Sequence, residues 1–488
     1  MNDSLKRRTL GNLALTAGTR VATLVMQLGA NIVLARNLGS VDYGIVGYAQ
    51  VFIAFLTLVS EFGLNSAAIQ QRTLSAAALR TGFTLRLCLG LAAFGLALAI
   101  APLCGPLLGE PAVGDVITLL AVGFLINGLA FMPTVRLLRE LNYRKFVLAQ
   151  LAGAAVNSTV TVVLAVNGFA YWSIVVANVA ATAVSAIVLN ALVRTRMEFA
   201  LDPPSVTHYA RFGGHLFVAW VLTFILMHLD DFVVGTLSGS AALGFYALAF
   251  TWGAKLSETI GSVVNSVLFP TFAKIQGDLP RLRAAYLKSL QLVGFLAIGG
   301  YTALALLSAD FLFWILGAGT DKWQPALLAL QILCLYGVAR TILEVVGSVV
   351  MAIGGVPLLV RANLLAAVVE AALIFPVLRG WGIEGVAVVV SISYTCQYLV
   401  FVPALRERLK VSGADLLRTL WHPAAAAAIA AAMVLLARSW ELTGSGSARF
   451  WGDATVIAVA YLLAYGAVTR GTTYRELYNA VMTRAGSA

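Results

Sequence analysis

Lys255, Glu258, Ser262 and Asn265 follow one another at spacings of three, four and three residues. On an α-helix that spacing puts all four side chains on one face. Arg340, Glu344 and Ser348 form a second such stripe, and Arg20, Gln27 and Asn31 a third. Gln50, Thr57, Glu61 and Asn65 make a fourth, while His228, Asp230 and Asp231 fall within one turn of each other. Cations on such faces can hold an anion through charge-assisted hydrogen bonds. Carboxylates beside them can take up and release a proton or hold a cation. Arg20, Lys255 and Arg340 are therefore the candidates for binding an anionic substrate. Glu258 and Glu344, followed by Asp230 and Asp231, are the candidates for ion coupling. The structural alternative is that Lys255–Glu258 and Arg340–Glu344 are intrahelical ion pairs between packed helices.

Apolar helices must position these groups. The 488-residue chain is 60% hydrophobic and 11% charged, with a mean hydropathy of +0.89. It contains about fourteen apolar stretches, each of roughly 20 residues, the length that crosses a bilayer's hydrocarbon core. They lie near 12–35, 44–64, 82–103, 115–135, 146–166, 171–193, 212–236, 242–269, 287–308, 325–351, 358–378, 382–403, 422–437 and 453–469. The fold class expected is an all-α polytopic membrane protein. An ionised side chain at mid-depth costs roughly 2.5–3.5 kcal/mol or more, so each one needs a partner, a wet cavity or an escape to the headgroups. Arg86, Arg361 and Glu61 lie near the cytoplasmic ends of their spans, where snorkelling explains them. Glu370 lies near mid-depth. Gln150, Asn157, Asn178 and Asn190 are expected to hydrogen-bond neighbouring helices.

Charge distribution sets the orientation. Of the 33 Lys and Arg, 24 fall in alternate segments that become cytoplasmic if the N-terminus is inside, and only five fall in the opposite loops. This bias places both termini in the cytoplasm. Lys6, Arg7 and Arg8 precede an apolar run too long for a signal core, so it reads as an uncleaved first span. Basic residues spread over alternate loops argue against nucleic-acid binding. Cys88, Cys104, Cys334 and Cys396 are widely separated and imply neither disulfides nor a metal site. No GxxxxGK[ST] phosphate loop is present. The short outside loops leave no room for an enzyme's catalytic domain, so no catalytic residue and no cofactor are expected.

The chain also repeats itself. Residues 39–49, GSVDYGIVGYA, align with 239–249, GSAALGFYALA. Gly39/Gly239, Ser40/Ser240, Gly44/Gly244 and Ala49/Ala249 are identical, and Phe52 aligns with Trp252. Each segment joins two spans, six spans apart, which predicts parallel repeats about an axis along the membrane normal. The expected organisation is a six-helix lobe over 1–200, a second over 201–410, and two further helices with a cytoplasmic tail over 411–488.

Several stretches carry a resemblance: LARNLGSVDYGIVGYAQVFIAFLTLVSEFGLNSAAIQ (34–70), RLLRELNYRKF (136–146), GFAYWSIVVANV (168–179), DDFVVGTLSGSAALGFYALAF (230–250) and LFPTFAKIQGDLPRLRAAY (268–286). Together they resemble polysaccharide flippases of the Wzx type, within the superfamily of multidrug, oligosaccharidyl-lipid and polysaccharide exporters. The resemblance implies twelve to fourteen helices in two lobes, working in a bacterial inner membrane by alternating access. It implies translocation of a polyprenyl-diphosphate-linked oligosaccharide from the cytoplasmic to the periplasmic leaflet for surface polysaccharide biosynthesis. The partners implied are that lipid-linked oligosaccharide, membrane lipid, a coupling proton or sodium ion, and the polysaccharide polymerase machinery. A multidrug antiporter and a lipid II flippase of the same superfamily are the alternatives. The resemblance assigns no binding role to an individual residue here.

Overall fold

The computed structural model describes residues 3–71, 73–140, 142–442 and 446–469, with no side chain described at 3–17, 20–21, 143, 215, 219, 222 or 266. The side chains of Arg20 and of Lys6 to Arg8, together with Arg72 and the tail from residue 470 onward, lie outside the described residues. Among the described residues all regular structure is helical, and eleven helices are long and apolar enough to cross a membrane. Two of these are interrupted, at Gly239 (φ 85°) and Gly382 (φ 63°). Glycine adopts this left-handed backbone without a Cβ penalty. Divided there, and with α1 (Asp3–Asn37) added, the described residues form fourteen segments of crossing length. It is a multi-pass membrane protein.

The structure forms two compact units, Met1–Ala247 and Leu248–Ala488. The first contains α1, α2 (Ser40–Glu61), α3 (Leu64–Gln70), α4 (Ala76–Leu108), α5 (Ala112–Leu129), α6 (Phe131–Arg139), α7 (Tyr143–Val166), α8 (Trp172–Leu192) and the beginning of α9 (Pro203–Ile275). In lipid no hydrophobic force draws helices together, so close packing of small residues and hydrogen bonds must hold them. Gly153 on α7 does this: a Cβ there would fall on the Ser185 side chain of α8. Asn190 Nδ2 on α8 donates to the Leu129 carbonyl at 3.3 Å, the interhelical bond expected of it. Leu64, Phe83, Phe131, Met132 and Tyr209 form a buried core cluster.

The span expected over 44–64 is present, with a break in its helix near the end. Phe62 (φ 40°) and Gly63 (φ 68°) both adopt left-handed backbone, which ends α2 after Glu61 and restarts the helix at Leu64. Arg139 Nη1 donates to the carbonyls of Ala68 at 2.9 Å and Gln71 at 2.5 Å. A cation there meets the negative end of α3.

In the second unit, α10 (Leu279–Asp310) ends in a π-helical turn, Phe311–Leu316, and a 3₁₀ turn, Asp321–Ala326, leads into α11 (Leu327–Ala352). After these come α12 (Val356–Cys396), α13 (Tyr398–Leu409), α14 (Gly413–Ser439) and α15 (Ser447–Val468). The alanine-rich α14 begins nine residues before the expected 422, because Ser412 and Asp415 form a reciprocal capping box at its N-terminus. Its Ala426, Ala427 and Ala430 pack with Tyr461 and Tyr465 of α15, and Phe295 of α10 packs against this cluster. Arg438 donates from Nε to the buried Asp453 at 2.6 Å and from Nη2 to the Leu306 carbonyl at 3.0 Å.

Candidate functional site

The first unit encloses a cavity of about 470 Å³. Its walls come from α1 through α8: Gln27 from α1, Glu61 and Asn65 from either side of the break, Arg86 from α4, Asn127 from α5, with α7 and α8 completing it. Helical spacing explains the last two walls. Phe146, Gln150 and Asn157 recur at four and seven on α7, and Asn178, Thr182 and Ser185 at four and three on α8, so each helix turns one stripe inward.

Arg86 is 3% exposed. It donates to the Ser60 hydroxyl at 2.9 Å and to Glu61 Oε1 at 3.5 Å. Arg86 and Glu61 are the charged groups among the described lining residues, and their charges cancel. Snorkelling does not describe this pair: the cation is buried against a second helix, with its partner on the cavity wall. Gln150, Asn157 and Asn178 also differ from the reading as interhelical bonds. They open on the cavity, and among the described residues their side chains have no hydrogen-bond partner. Asn65 Oδ1 is buried and likewise without one.

The residues singled out from sequence fall into separate groups. In the second unit, Lys255 Nζ lies 3.8 Å from Glu258 Oε2 on the same helix. Glu344 of α11 does not pair with Arg340; it accepts from Asn265 Nδ2 of α9 at 2.7 Å, and Asn265 Oδ1 accepts from Ser348 at 3.0 Å. Two of the expected stripes thus meet along α9 and α11. Arg340 Nη1 donates to the Tyr336 hydroxyl at 2.8 Å. Tyr336 is fixed by Phe250 and by an edge contact with Tyr394, with centroids 5.4 and 4.8 Å away. Glu370 is buried and accepts from Ser393 at 3.1 Å.

Asp230 and Asp231 lie in the first unit, apart from the cavity's lining. Asp230 is buried and accepts from the Tyr246 hydroxyl at 2.6 Å. Asp231 stands 3.8 Å from His228 Nδ1. Among the described residues, no group of three or more His, Cys, Asp or Glu could hold a metal ion.

Residues 33–328 match the family described as "Polysaccharide biosynthesis protein". The chain belongs to that family. It is similar to the lipopolysaccharide biosynthesis protein WzxC of Escherichia coli (strain K12), 26% identical over 362 residues, covering 72% of this chain and 71% of that protein. It is also similar to the succinoglycan biosynthesis transport protein ExoT of Rhizobium meliloti (strain 1021), 25% identical over 299 residues, covering 61% and 57%. Among solved structures, the lipid II flippase MurJ in an inward closed conformation shares the fold, with a TM-score of 0.78 at 13% identity over 95% of this chain and 100% of that one. The matched region of this polysaccharide biosynthesis family member includes the first unit's cavity lining from Glu61 to Leu189, leaving out Thr23 and Gln27 of α1, and the Lys255–Glu258 pair.

Proposed function

We propose that the protein is a flippase in surface polysaccharide biosynthesis, moving a polyprenyl-diphosphate-linked oligosaccharide from the cytoplasmic to the periplasmic leaflet of the inner membrane. The observation that carries this reading is a polar cavity walled by membrane-crossing helices in a member of a polysaccharide biosynthesis family. Hydrocarbon gives such a cavity no reason to exist unless something polar enters it. The similarity to a succinoglycan transport protein and the shared fold of a lipid II flippase support the substrate class.

On this reading, Lys255 and Arg340 meet the diphosphate, with Arg20 as a third cation. Glu258 and Glu344, then Asp230 and Asp231, hold the coupling proton or sodium ion. The repeat lobes are 1–200 and 201–410, with 411–488 accessory, and both termini are cytoplasmic. The role is transport, with no catalytic residue assigned and polysaccharide polymerase machinery as the downstream partner.

The test is deletion. Cells without the protein should lose surface polymer and accumulate lipid-linked oligosaccharide in the cytoplasmic leaflet. Unchanged polymer with no accumulated lipid would overturn the assignment. For topology, cysteine at Glu407 should react with an impermeant thiol reagent only after the membrane is opened, whereas cysteine at Asp321 should react in intact cells. The reverse pattern would invert the orientation.

A further inference from the structure

Among its described lining residues the cavity of the first unit has no net charge and is rich in amides, which is the wrong chemistry for a diphosphate and the right one for a sugar. A diphosphate calls for an excess of cations, and here Arg86 is offset by Glu61. An apolar or cationic drug calls for bare aromatic walls or an excess of carboxylates. The walls instead present Gln27, Asn65, Asn127, Gln150, Asn157 and Asn178. Each primary amide offers two donors and one carbonyl acceptor. Sugar hydroxyls both donate and accept, so amides can serve them in either sense. Phe146 adds apolar ring surface, suited to the C–H face of a pyranose. At about 470 Å³ the space falls within the roughly 300–1,000 Å³ of small-molecule sites.

Two further observations point to a ligand. Among the described residues Gln150, Asn157 and Asn178 make no side-chain hydrogen bond, and Asn65 Oδ1 is buried without a partner. A buried unsatisfied polar atom such as Asn65 Oδ1 is expensive, and it converges with these amides on one space. Glu61 and Asn65 flank the Phe62–Gly63 break and line the same wall. Interrupted helices in transporters mark binding sites, because irregular backbone is tolerated where it lines a cavity.

We propose that this cavity binds the sugar portion of the transported lipid, with Gln150, Asn157 and Asn178 selecting which sugar passes. The proposal rests on the flippase reading and adds a site and its ligand. Asn157 and Asn178 sit on facing stripes of α7 and α8, held close by Gly153. They can therefore grip a ring from two sides, and a sugar with a misplaced or missing hydroxyl leaves one amide unpaired. That penalty is how a polar site discriminates.

The test uses proteoliposomes and two probes: lipid-linked oligosaccharide extracted from cells lacking the protein, and unglycosylated polyprenyl diphosphate. Wild type should flip both, the glycosylated lipid at lower half-saturating concentration. Asn157→Leu and Asn178→Leu should each raise that concentration about tenfold for the glycosylated lipid, the worth of one or two hydrogen bonds. For the bare lipid the change should stay below about twofold on the same scale. Gln150→Met, close in shape and apolar, carries the same expectation should either leucine variant fail to fold. If the variants leave both probes unchanged, or weaken both equally, the sugar site is overturned while transport stands. A wild type that moves neither probe overturns the flippase reading and the sugar site together.

Discussion

Gly44 lies so close to Ser240 that a Cβ on it would fall on the Ser240 backbone carbonyl. Gly244 stands in the same relation to Ser40, two hundred residues before Ser240. Residue i touches j′ while i′ touches j, the pattern of segments related by a two-fold axis. Between them, Tyr48 donates to the Gly235 carbonyl at 2.5 Å. The two glycines of the repeated sequence thus share one task, which is to let backbones meet where a methyl group would not fit.

The first prediction follows directly. Gly44→Ala and Gly244→Ala should each destabilise the protein by about 1–3 kcal/mol, the usual cost of overpacking, and lower its melting temperature in detergent. Gly95→Ala in α4, where a Cβ meets nothing within 4 Å, should be neutral or stabilising by about 0.4–1 kcal/mol. Equal effects at all three positions would show that the approach at Gly44 is not tight.

The second concerns Glu61 and Arg86. Removing Glu61's charge leaves the buried Arg86 guanidinium, which also donates to the Ser60 hydroxyl, without the carboxylate that offsets it. Glu61→Gln should cost about 1–3 kcal/mol, towards the low end because Glu61 is 38% exposed on the cavity side and part of its field is screened. Combining it with Arg86→Met removes the stranded charge, so the double variant should melt above the level that adding the two single losses predicts. Strict additivity would mean that the two groups do not interact.

The fourteen segments were legible, with span limits expected beside the breaks at Gly239 and Gly382, because they depend on a local property, the length of an apolar run. The cavity was not, because it depends on which face of each helix turns inward. Asn178 and Asn190 are the same residue type on the same helix, yet one opens on the cavity and the other bonds to Leu129. Arg86 finds Glu61 across 25 residues and two helices, which no periodicity within one helix reveals. A signal was available in Gln150 and Asn157, seven residues apart on one face of α7, with Asn178 on the next span. Even so, only packing separates a lining residue from an interhelical bond. Arg438 shows the same limit, since its buried partner Asp453 sits on the next helix.

Arg340 supplies the third prediction. Its guanidinium is aimed by the Tyr336 hydroxyl, and Tyr336 is in turn wedged against Phe250 and Tyr394. Arg340→Ala and Lys255→Ala should cut polymer export at least about tenfold by loss of charge-assisted bonds, with protein abundance in the membrane near wild type. Tyr336→Phe keeps the charge and loses one hydrogen bond, so a fall of about fivefold is expected. Arg340→Lys should not restore export, because an ammonium cannot reproduce the fork. Normal export in both alanine variants would make these cations structural.

Coupling is the last. With no nucleotide-binding motif in the sequence, directional movement must draw on an ion gradient or on downstream consumption of the flipped lipid. The carboxylates of α9 and α11 stand in the right company. Glu258 stands 3.8 Å from Lys255 Nζ, a contact that an arriving anion can draw open. Glu344 sits at the end of a relay in which Ser348 donates to Asn265 and Asn265 donates to Glu344, with Gly261 leaving room for the carboxylate. An anion that takes Lys255 frees Glu258 to hold a cation, so each occupant alters the other's affinity, as reciprocal linkage requires. In proteoliposomes the double variant Glu258→Gln with Glu344→Gln should still flip lipid without a gradient but lose its stimulation by an imposed proton or sodium gradient. Asp230→Asn, whose partner Tyr246 lies in the first unit, should lower that stimulation less. Full stimulation in the double variant would remove Glu258 and Glu344 from the coupling role and leave Asp230 and Asp231 as the remaining pair to test.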